Sequence, residues 1–298
     1  MIGNRLVYGD TIGVICPASG ERNPIMDNNL NQLRNLGFNI KEGAYLRKCG
    51  EYLAGTDTER AEDFMNMFTD PTVKAILCYR GGYGSIRMMQ YIDWRIIKRN
   101  PKIFCGYSDI TLLINYINKT TGLITFHSPM VNSKFSDTIT KNYFLNLLMN
   151  SKDNFSIDLN QFSSINSYNK KSVKGYLCGG NLSMICSSLK TPYEVDTNNK
   201  ILFIEDINEE NYVLDRMLTQ LLLADKLSNC RAFILGHYTP RNTTTNNVLK
   251  NILLPLNKPI IMNFPCGHDY PNITLPIGAK VSLDFENNNL TILEPVIK

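Results

Sequence analysis

The chain has 298 residues, of which 43% are hydrophobic, so it can bury the core of one large domain or of two ordinary ones. Charged residues make up 19% of the chain and the net charge is only +4, with no run of Lys and Arg. This pattern argues against a nucleic-acid partner and favours a small molecule. No apolar run reaches the roughly 18 residues of a membrane span and no signal peptide is visible, so we expect a cytoplasmic protein without a membrane partner.

The first half of the chain alternates predicted strands with predicted helices. Apolar runs predict strands at residues 11–16, 73–79, 103–105 and 122–127. Helical spacing of apolar residues predicts helices around 30–36, 61–68, 85–91, 110–117 and 139–149. Strands and helices that alternate at these lengths predict an α/β fold, with a doubly wound, Rossmann-like parallel-sheet domain at residues 1–150.

The second half begins after a change in composition. Ser, Asn, Asp and Lys dominate residues 151–172, which we interpret as a linker region, and residues 173–298 then form a mixed α/β domain. We expect a helix after Asn181, strands at 200–204, 230–235 and 259–264, and helices ending near 223 and 254. Residues 279–285 and 290–293 predict a closing β-hairpin.

The eight cysteines are scattered without a Cys-x-x-Cys pair, mostly in apolar segments. They are predicted to be small buried side chains in a reducing compartment, not a disulfide framework or a zinc site. We expect neither a metal nor another cofactor.

Ser108 occupies the turn between a predicted buried strand and a predicted helix. Such a turn would hold the hydroxyl outward, beside backbone N–H groups that open the helix, which suits a nucleophile. The alternative is that Ser108 only caps the helix, as serine at a helix start commonly does.

A glycine-rich loop, Gly81-Gly82-Tyr83-Gly84, follows the strand at 73–79. One interpretation is a phosphate cradle, but Arg87 stands where a dinucleotide motif needs its third glycine and no Gly-Lys-Ser/Thr follows. A second interpretation is that backbone N–H groups of the loop bind a developing oxyanion, and a third is a plain turn.

A serine nucleophile needs a general base and a carboxylate that orients it. The chain has three histidines, and we favour His268 because it lies in a loop next to Gly267, whereas His127 and His237 end apolar strands. Glu205 and Asp206 both end a strand, and since their side chains point to opposite faces only one can serve.

Seven ordered motifs resemble the LD-carboxypeptidases, serine peptidases also called muramoyltetrapeptide carboxypeptidases. The motifs are Gly9-Asp10-Thr11-Ile12-Gly13 with Pro17-Ala18-Ser19, Arg80-Gly81-Gly82-Tyr83-Gly84-Ser85, Gly106-Tyr107-Ser108-Asp109-Ile110-Thr111, Gly179-Gly180-Asn181-Leu182, Ile201-Leu202-Phe203-Ile204-Glu205-Asp206, Asp215-Arg216-Met217-Leu218, and Gly267-His268 with Leu275-Pro276-Ile277-Gly278.

The resemblance implies a catalytic triad of Ser108, Glu205 and His268 in a cleft between the two domains. It also implies an oxyanion hole built from backbone N–H groups at Gly82 and Asp109. Arg80 and Tyr83 are our candidates for substrate contacts, although Arg80 could equally be structural.

The function that the resemblance implies is hydrolysis of the bond before a terminal D-alanine in a murein tetrapeptide, for recycling of cell-wall peptides. The candidate assembly is a homodimer. One alternative is a microcin-immunity-like peptidase that cleaves peptidyl or aminoacyl nucleotide conjugates. Another is a non-catalytic protein that binds a nucleotide or metabolite through Gly81 to Gly84.

Overall fold

The computed structural model describes residues 1–150, 155–239 and 243–298. The chain forms two compact units. The first contains Met1–Ser151, Ile273–Pro276 and Val296–Lys298, and the second contains Lys152–Asn272 and Ile277–Pro295. Residues 151–154 of the predicted linker region lie outside the described residues.

The first unit is built from alternating strands and helices. In chain order these are β1 (Thr11–Ile15), α1 (Asn23–Asn35), β2 (Asn39–Glu42), α2 (Asp57–Thr69), β3 (Val73–Cys78), α3 (Ser85–Met88), α4 (Trp94–Arg99), β4 (Ile103–Gly106), α5 (Thr111–Thr121), β5 (Thr125–His127) and α6 (Thr138–Met149). The predicted strands and helices of this half are present, while β2 and α4 were not predicted.

The second unit begins with two short strands inside the stretch that we interpreted as a linker. The remaining elements of the chain are β6 (Ser156–Asp158), β7 (Asn166–Tyr168), β8 (Val173–Asn181), α7 (Leu182–Ser187), β9 (Ile201–Asp206), α8 (Asn211–Leu223), β10 (Ala232–Tyr238), α9 (Thr243–Leu253), β11 (Ile260–Met262), β12 (Leu275–Ile277), β13 (Lys280–Asp284) and β14 (Asn289–Ile292). Of these, β12 belongs to the sheet of the first unit. Residues 155–172 therefore contribute edge strands to a sheet.

Each unit has one sheet. The six-stranded sheet has the order β12-β5-β4-β3-β1-β2, and its pairs from β2 to β5 are parallel. The eight-stranded sheet has the order β6-β14-β13-β8-β9-β10-β11-β7. Strands β8 to β11 are parallel, and β13 and β14 form the antiparallel hairpin predicted near the end of the chain. The predicted two-domain α/β fold, with a parallel sheet and a mixed sheet, is confirmed.

Local sequence signals explain where several helices begin and end. Thr56 and Glu59 form a capping box at the start of α2, in which each side chain accepts the other residue's backbone N–H. Asn181 caps α7 by accepting the Met184 N–H at 3.2 Å. Gly37 follows α1 with a φ of 95°, a conformation that glycine adopts without strain.

The central strands are buried along their whole length, as in β4, β9 and β10. This burial explains their unbroken apolar runs and holds the ends of these strands in fixed positions. Among the described residues, no helix is both long and apolar enough to cross a bilayer. Seven of the eight cysteines are buried thiols, Cys49 is exposed, and all eight are free.

Candidate active site

Ser108 lies at the end of the buried strand β4, where the chain turns toward α5. Its φ is 63°, in the left-handed region that non-glycine residues rarely adopt, which costs on the order of 1 kcal/mol. The backbone from Ser108 to Ile110 makes a single 3-10 turn before α5 begins. The sharp turn predicted from the sequence is therefore present, and its strain falls on the serine itself.

The glycine loop after β3 lies directly against Ser108. A Cβ atom at Gly81 would come within 2.7 Å of the Ser108 Cβ and 2.8 Å of its Oγ, and 3.3 Å from the backbone N of Asp109. Any side chain at position 81 would therefore collide with the serine. Only glycine leaves the hydroxyl and the Asp109 N–H group free to meet another molecule.

Ser19 holds this loop from the other side. Its backbone N–H donates to the Gly81 carbonyl at 3.3 Å, and its Oγ accepts the Tyr83 N–H at 3.3 Å. Between these two bonds Gly82 has a φ of 111°, and a Cβ there would overlap the Ser19 hydroxyl. The conformation of Gly82 is thus fixed by its neighbours on both sides.

A buried polar network fixes the end of the same loop. The Asp109 carboxylate accepts the Ser85 N–H at 2.8 Å, and the Ser85 hydroxyl donates to the Asp109 carbonyl at 2.8 Å. Arg60, fully buried, donates through Nη1 to the carbonyls of Pro17 at 2.5 Å and Gly84 at 2.7 Å. These bonds tie Asp109, the residue after Ser108, to the glycine loop.

Burial raises the pKa of the Asp109 carboxyl, although backbone N–H groups of Ser85 and Gly84 and the positive charge of Arg60 oppose this rise. Neither the buried position of Arg60 nor the bonding role of Ser85 was predicted from the sequence. An arginine inside a helix is usually an exposed residue, so nothing in the helical pattern of α2 signalled a buried cation.

Arg80 and Tyr83, the two predicted substrate contacts, flank the glycine pair. Arg80 forms an ion pair with Glu21 at 3.0 Å. Its Nε atom is buried and has no hydrogen-bond partner in the part of the chain that the structure describes. Tyr83 is 47% exposed, and its ring centroid lies 6.3 Å from that of Tyr52.

Glu205 and His268 form a hydrogen-bonded pair in the second unit. The Nδ1 atom of His268 lies 2.6 Å from Oε2 of Glu205, whose side chain is fully buried at the end of β9. The His268 side chain keeps 11% of its surface exposed. Of the two carboxylates left open by strand alternation, Glu205 is the one that contacts the histidine.

The contact with Glu205 raises the pKa of the His268 imidazole. Burial lowers the pKa of His268, but the charge and hydrogen bond of Glu205, together with the charge of Asp206, outweigh burial. The pKa of His268 therefore lies above its usual value of 6.5.

Asp206 and Asn181 form a hydrogen-bond network beside the Glu205 carboxylate. The Asn181 amide donates to Oδ1 of Asp206 at 2.9 Å and reaches Oε1 of Glu205 at 3.4 Å. The other Asp206 oxygen accepts the Ser183 hydroxyl at 2.7 Å. Burial raises the pKa of the Asp206 carboxyl, and the neighbouring charge of Glu205 adds to the rise, while the Ser183 bond opposes it. The sequence identifies Asn181 as the start of a helix and as part of a family motif, without a link to Glu205.

Two glycines make room for the Glu205 side chain. A Cβ at Gly267, where φ is 125°, would lie 2.8 Å from Oε2, and a Cβ at Gly236 would lie 3.0 Å from the Glu205 Cβ. The glycine before His268 is therefore required by the close approach of the carboxylate.

The other two histidines, His127 and His237, are buried. His127 is fully buried, with its ring 5.6 Å from that of Tyr107, and the His237 ring accepts the Asp269 N–H at 3.1 Å. No cluster of three or more His, Cys, Asp or Glu side chains suited to a metal ion occurs within the described residues.

Comparison with known proteins gives consistent results over nearly the whole chain. Residues 12–128 match the family model described as LD-carboxypeptidase N-terminal domain, and residues 174–283 match the C-terminal domain of the same family. The probable murein peptide carboxypeptidase of Bacillus subtilis (strain 168) is 38% identical over 287 residues, covering 93% of this chain and 89% of that protein.

Two solved structures whose names give different functions both superpose closely on this chain. A muramoyltetrapeptide carboxypeptidase from Oxalobacter formigenes superposes with a TM-score of 0.84 at 27% identity, covering 95% of this chain and 99% of the other. The microcin C7 self-immunity protein MccF, in its wild-type apo state, superposes with a TM-score of 0.91 at 27% identity and full coverage of both chains.

Proposed function

This chain belongs to the LD-carboxypeptidase family of serine peptidases, and from this premise we propose that it releases a terminal D-alanine from murein tetrapeptide. The scissile bond joins an L-centre residue to the D-amino acid. Ser108 is the nucleophile, His268 the general base and Glu205 the carboxylate that orients the base. The B. subtilis relative, named for murein peptides, supports this substrate.

The observation that carries the proposal is the 2.6 Å contact between Glu205 and Nδ1 of His268. A carboxylate on Nδ1 holds the proton there, which leaves the Nε2 lone pair to accept a proton from a hydroxyl. The carboxylate also stabilises the imidazolium that forms when this transfer occurs. With this arrangement His268 can act as the general base for a serine hydroxyl.

The reaction proceeds through an acyl-enzyme. His268 takes the proton from Ser108 as Oγ attacks the carbonyl carbon, and His268 then protonates the amine of the departing D-alanine. Water, activated by the same histidine, hydrolyses the ester on Ser108. The mechanism requires Nε2 of His268 to reach Oγ of Ser108 in the working enzyme.

Backbone N–H groups at Gly82 and Asp109 stabilise the oxyanion of the tetrahedral intermediate. The support comes from Gly81, which leaves the Asp109 N–H unobstructed beside the nucleophile. The bonds of Ser19 on both sides of Gly82 fix the second donor before substrate arrives. A donor held in place in this way loses little energy to reorganisation during the reaction.

Arg80 receives the terminal carboxylate of the substrate, and Tyr83 lines the approach to it. The Arg80 side chain is 35% exposed, so its guanidinium can donate to a carboxylate oxygen while Nη1 stays with Glu21. Arg80 then serves both as a structural ion pair and as a substrate contact.

A second candidate function is hydrolysis of a peptidyl or aminoacyl nucleotide conjugate. The observation that favours it is the TM-score of 0.91 to the microcin C7 self-immunity protein, a relative solved in complex with aspartyl sulfamoyl adenosine. The same serine chemistry would cleave either amide, so substrate identity must be decided by assay.

The test is mass spectrometry of murein tetrapeptide after incubation with wild type, Ser108→Ala and the matched control Ser136→Ala, an exposed serine of the same unit. We expect loss of one D-alanine with wild type and Ser136→Ala, and none with Ser108→Ala. Cleavage of an aminoacyl nucleotide conjugate alone would support the second candidate. Nucleotide binding that survives Ser108→Ala, without cleavage of either substrate, would support the non-catalytic alternative instead.

Cytoplasmic location and homodimer formation complete the proposal and have their own measurements. Cell fractionation tests the first, and light scattering of the purified protein tests the second.

A further inference from the structure

We infer that the second unit has a separate pocket that binds a small molecule through a phosphate group. The pocket has a volume of about 570 Å³ and is lined by four cationic side chains, those of Lys171, Lys174, Arg231 and Lys258. This volume is in the range of small-molecule sites. The inference does not depend on the proposed peptidase activity.

The pocket and Glu205 lie at opposite ends of the parallel strands of the eight-stranded sheet. Lys174 is the second residue of β8, Arg231 directly precedes β10, and Lys258 lies two residues before β11. These are the amino ends of parallel strands, whereas Glu205 is at the carboxyl end of β9, the strand between β8 and β10. Since β9 has six residues, the two places are about 20 Å apart along the sheet.

The positive charge of the pocket exceeds the negative charge around it. None of its described lining residues is acidic. Two acids near this edge are already paired, Asp196 with Lys200 at 3.0 Å and Glu194 with Lys226.

Asp284, near Ser172 on the pocket rim, is also engaged. Its carboxylate accepts the side-chain amide of Asn287 at 2.8 Å and the backbone N–H of Glu286 at 3.0 Å. These donors are neutral, and the Ser172 side chain also bonds to this carboxylate, so Asp284 stays charged and offsets one of the four cations.

Of the four cations that line the pocket, only Lys258 uses its charged group in a hydrogen bond within the described parts of the fold. Lys258 donates its ammonium group to the carbonyl of Cys230, as cations near a helix or strand end often do. Lys171, Lys174 and Arg231 form no ion pair within the described parts of the chain. Like charges that line one cavity repel one another, and a bound anion removes that repulsion.

The sheet holds the stem of Arg231, while the side chain of Lys174 is exposed near the start of β8. The stem of Arg231 lies over Gly175, where a Cβ would be 3.2 Å from the arginine Cδ. Lys174 is paired across the strands with Ser282, so an ammonium group and a hydroxyl share one face. A planar guanidinium, an ammonium group and a hydroxyl donor suit the several oxygens of a phosphate dianion.

The inference is tested by isothermal titration calorimetry at about 0.1 M KCl, with inorganic phosphate and AMP as probes. We expect saturable binding of at least one probe to wild type. Arg231→Gln and Lys174→Gln should each weaken binding by about tenfold or more. Lys280→Gln, an exposed cation on β13 outside the pocket, should leave binding unchanged.

The outcomes separate the possible sources of the phosphate. Tighter binding of AMP than of inorganic phosphate, when Arg231→Gln weakens it, indicates a phosphorylated metabolite at this pocket, and the reverse order indicates free phosphate. Absence of binding by both probes, or equal binding by Arg231→Gln and Lys174→Gln variants whose circular dichroism matches wild type, would overturn the inference. Ser108→Ala should bind the probes as wild type does, which keeps this result independent of peptidase activity.

Discussion

Replacement of the buried Arg60 by glutamine should destabilise the first unit and slow catalysis together. The guanidinium donates to the carbonyls of Pro17 and Gly84 and pairs with Asp57. Two buried carbonyls would lose a charged donor, at about 1.5–3 kcal/mol each, so we expect a total loss of about 3–6 kcal/mol. Arg87 pairs with the same Asp57 from an exposed position, and Arg87→Gln should cost only about 0–1 kcal/mol.

Urea unfolding followed by tryptophan fluorescence measures this difference. Trp94 is the single tryptophan of the chain, and its ring packs 4.7 Å from Tyr116 and 6.3 Å from Phe64, so its emission reports on the first unit. For Arg60→Gln we also expect kcat to fall at least tenfold with a smaller change in KM, because the loop that holds the proposed oxyanion donors is released. Equal unfolding midpoints for Arg60→Gln and Arg87→Gln would refute the reasoning.

Ser108→Ala should lower kcat by three or more orders of magnitude while the urea midpoint stays near that of wild type, and retained turnover would refute the nucleophile. Gly81→Ala should lower kcat by about a hundredfold or more, since its Cβ would lie 2.7 Å from that of Ser108; steady-state kinetics and circular dichroism check activity and fold. The value of kcat/KM should fall on acidification through the pKa of His268, above 6.5, and Glu205→Gln should move this midpoint downward, which a pH–rate profile tests. The same raised pKa means that the protonated His268–Glu205 pair stabilises the fold at pH values below about 6.5, a contribution lost as the pH rises through the folded-state pKa, and urea midpoints against pH measure it. Dialysis against EDTA should leave the rate unchanged, because the proposed chemistry uses only side chains and water, and inhibition restored by added metal would contradict it.

Buried parallel strands could be predicted because burial on both faces leaves an unbroken apolar run. The strand before Ser108 and the strand that contains Glu205 are both of this kind, so the positions of Ser108 and Glu205 at strand ends could be predicted from sequence. The choice of Glu205 over Asp206 came from the family resemblance. Alternation alone could not make it, because both side chains are buried and each has its own partners.

Short strands that pair over long distances could not be predicted. β6 pairs with β14 and β7 with β11, so two polar three-residue segments inside the predicted linker become strands only through distant partners. Their own residues lack the apolar alternation that signals a strand. The buried polar groups behind the site were missed for a related reason, since the partners of Arg60 are backbone atoms that a residue pattern does not show.

The first unit takes residues from both ends of the chain. β12 forms an edge of the first sheet beside β5, and the backbone of Arg5 donates to the Lys298 carbonyl at 2.7 Å. During synthesis on a ribosome, residues 1–150 would emerge without the strand at 275 and the partner of Arg5, so this unit cannot finish folding until the second half has been made. A fragment that ends near residue 150 should therefore expose the edge of β5 and aggregate, whereas the whole chain closes that edge.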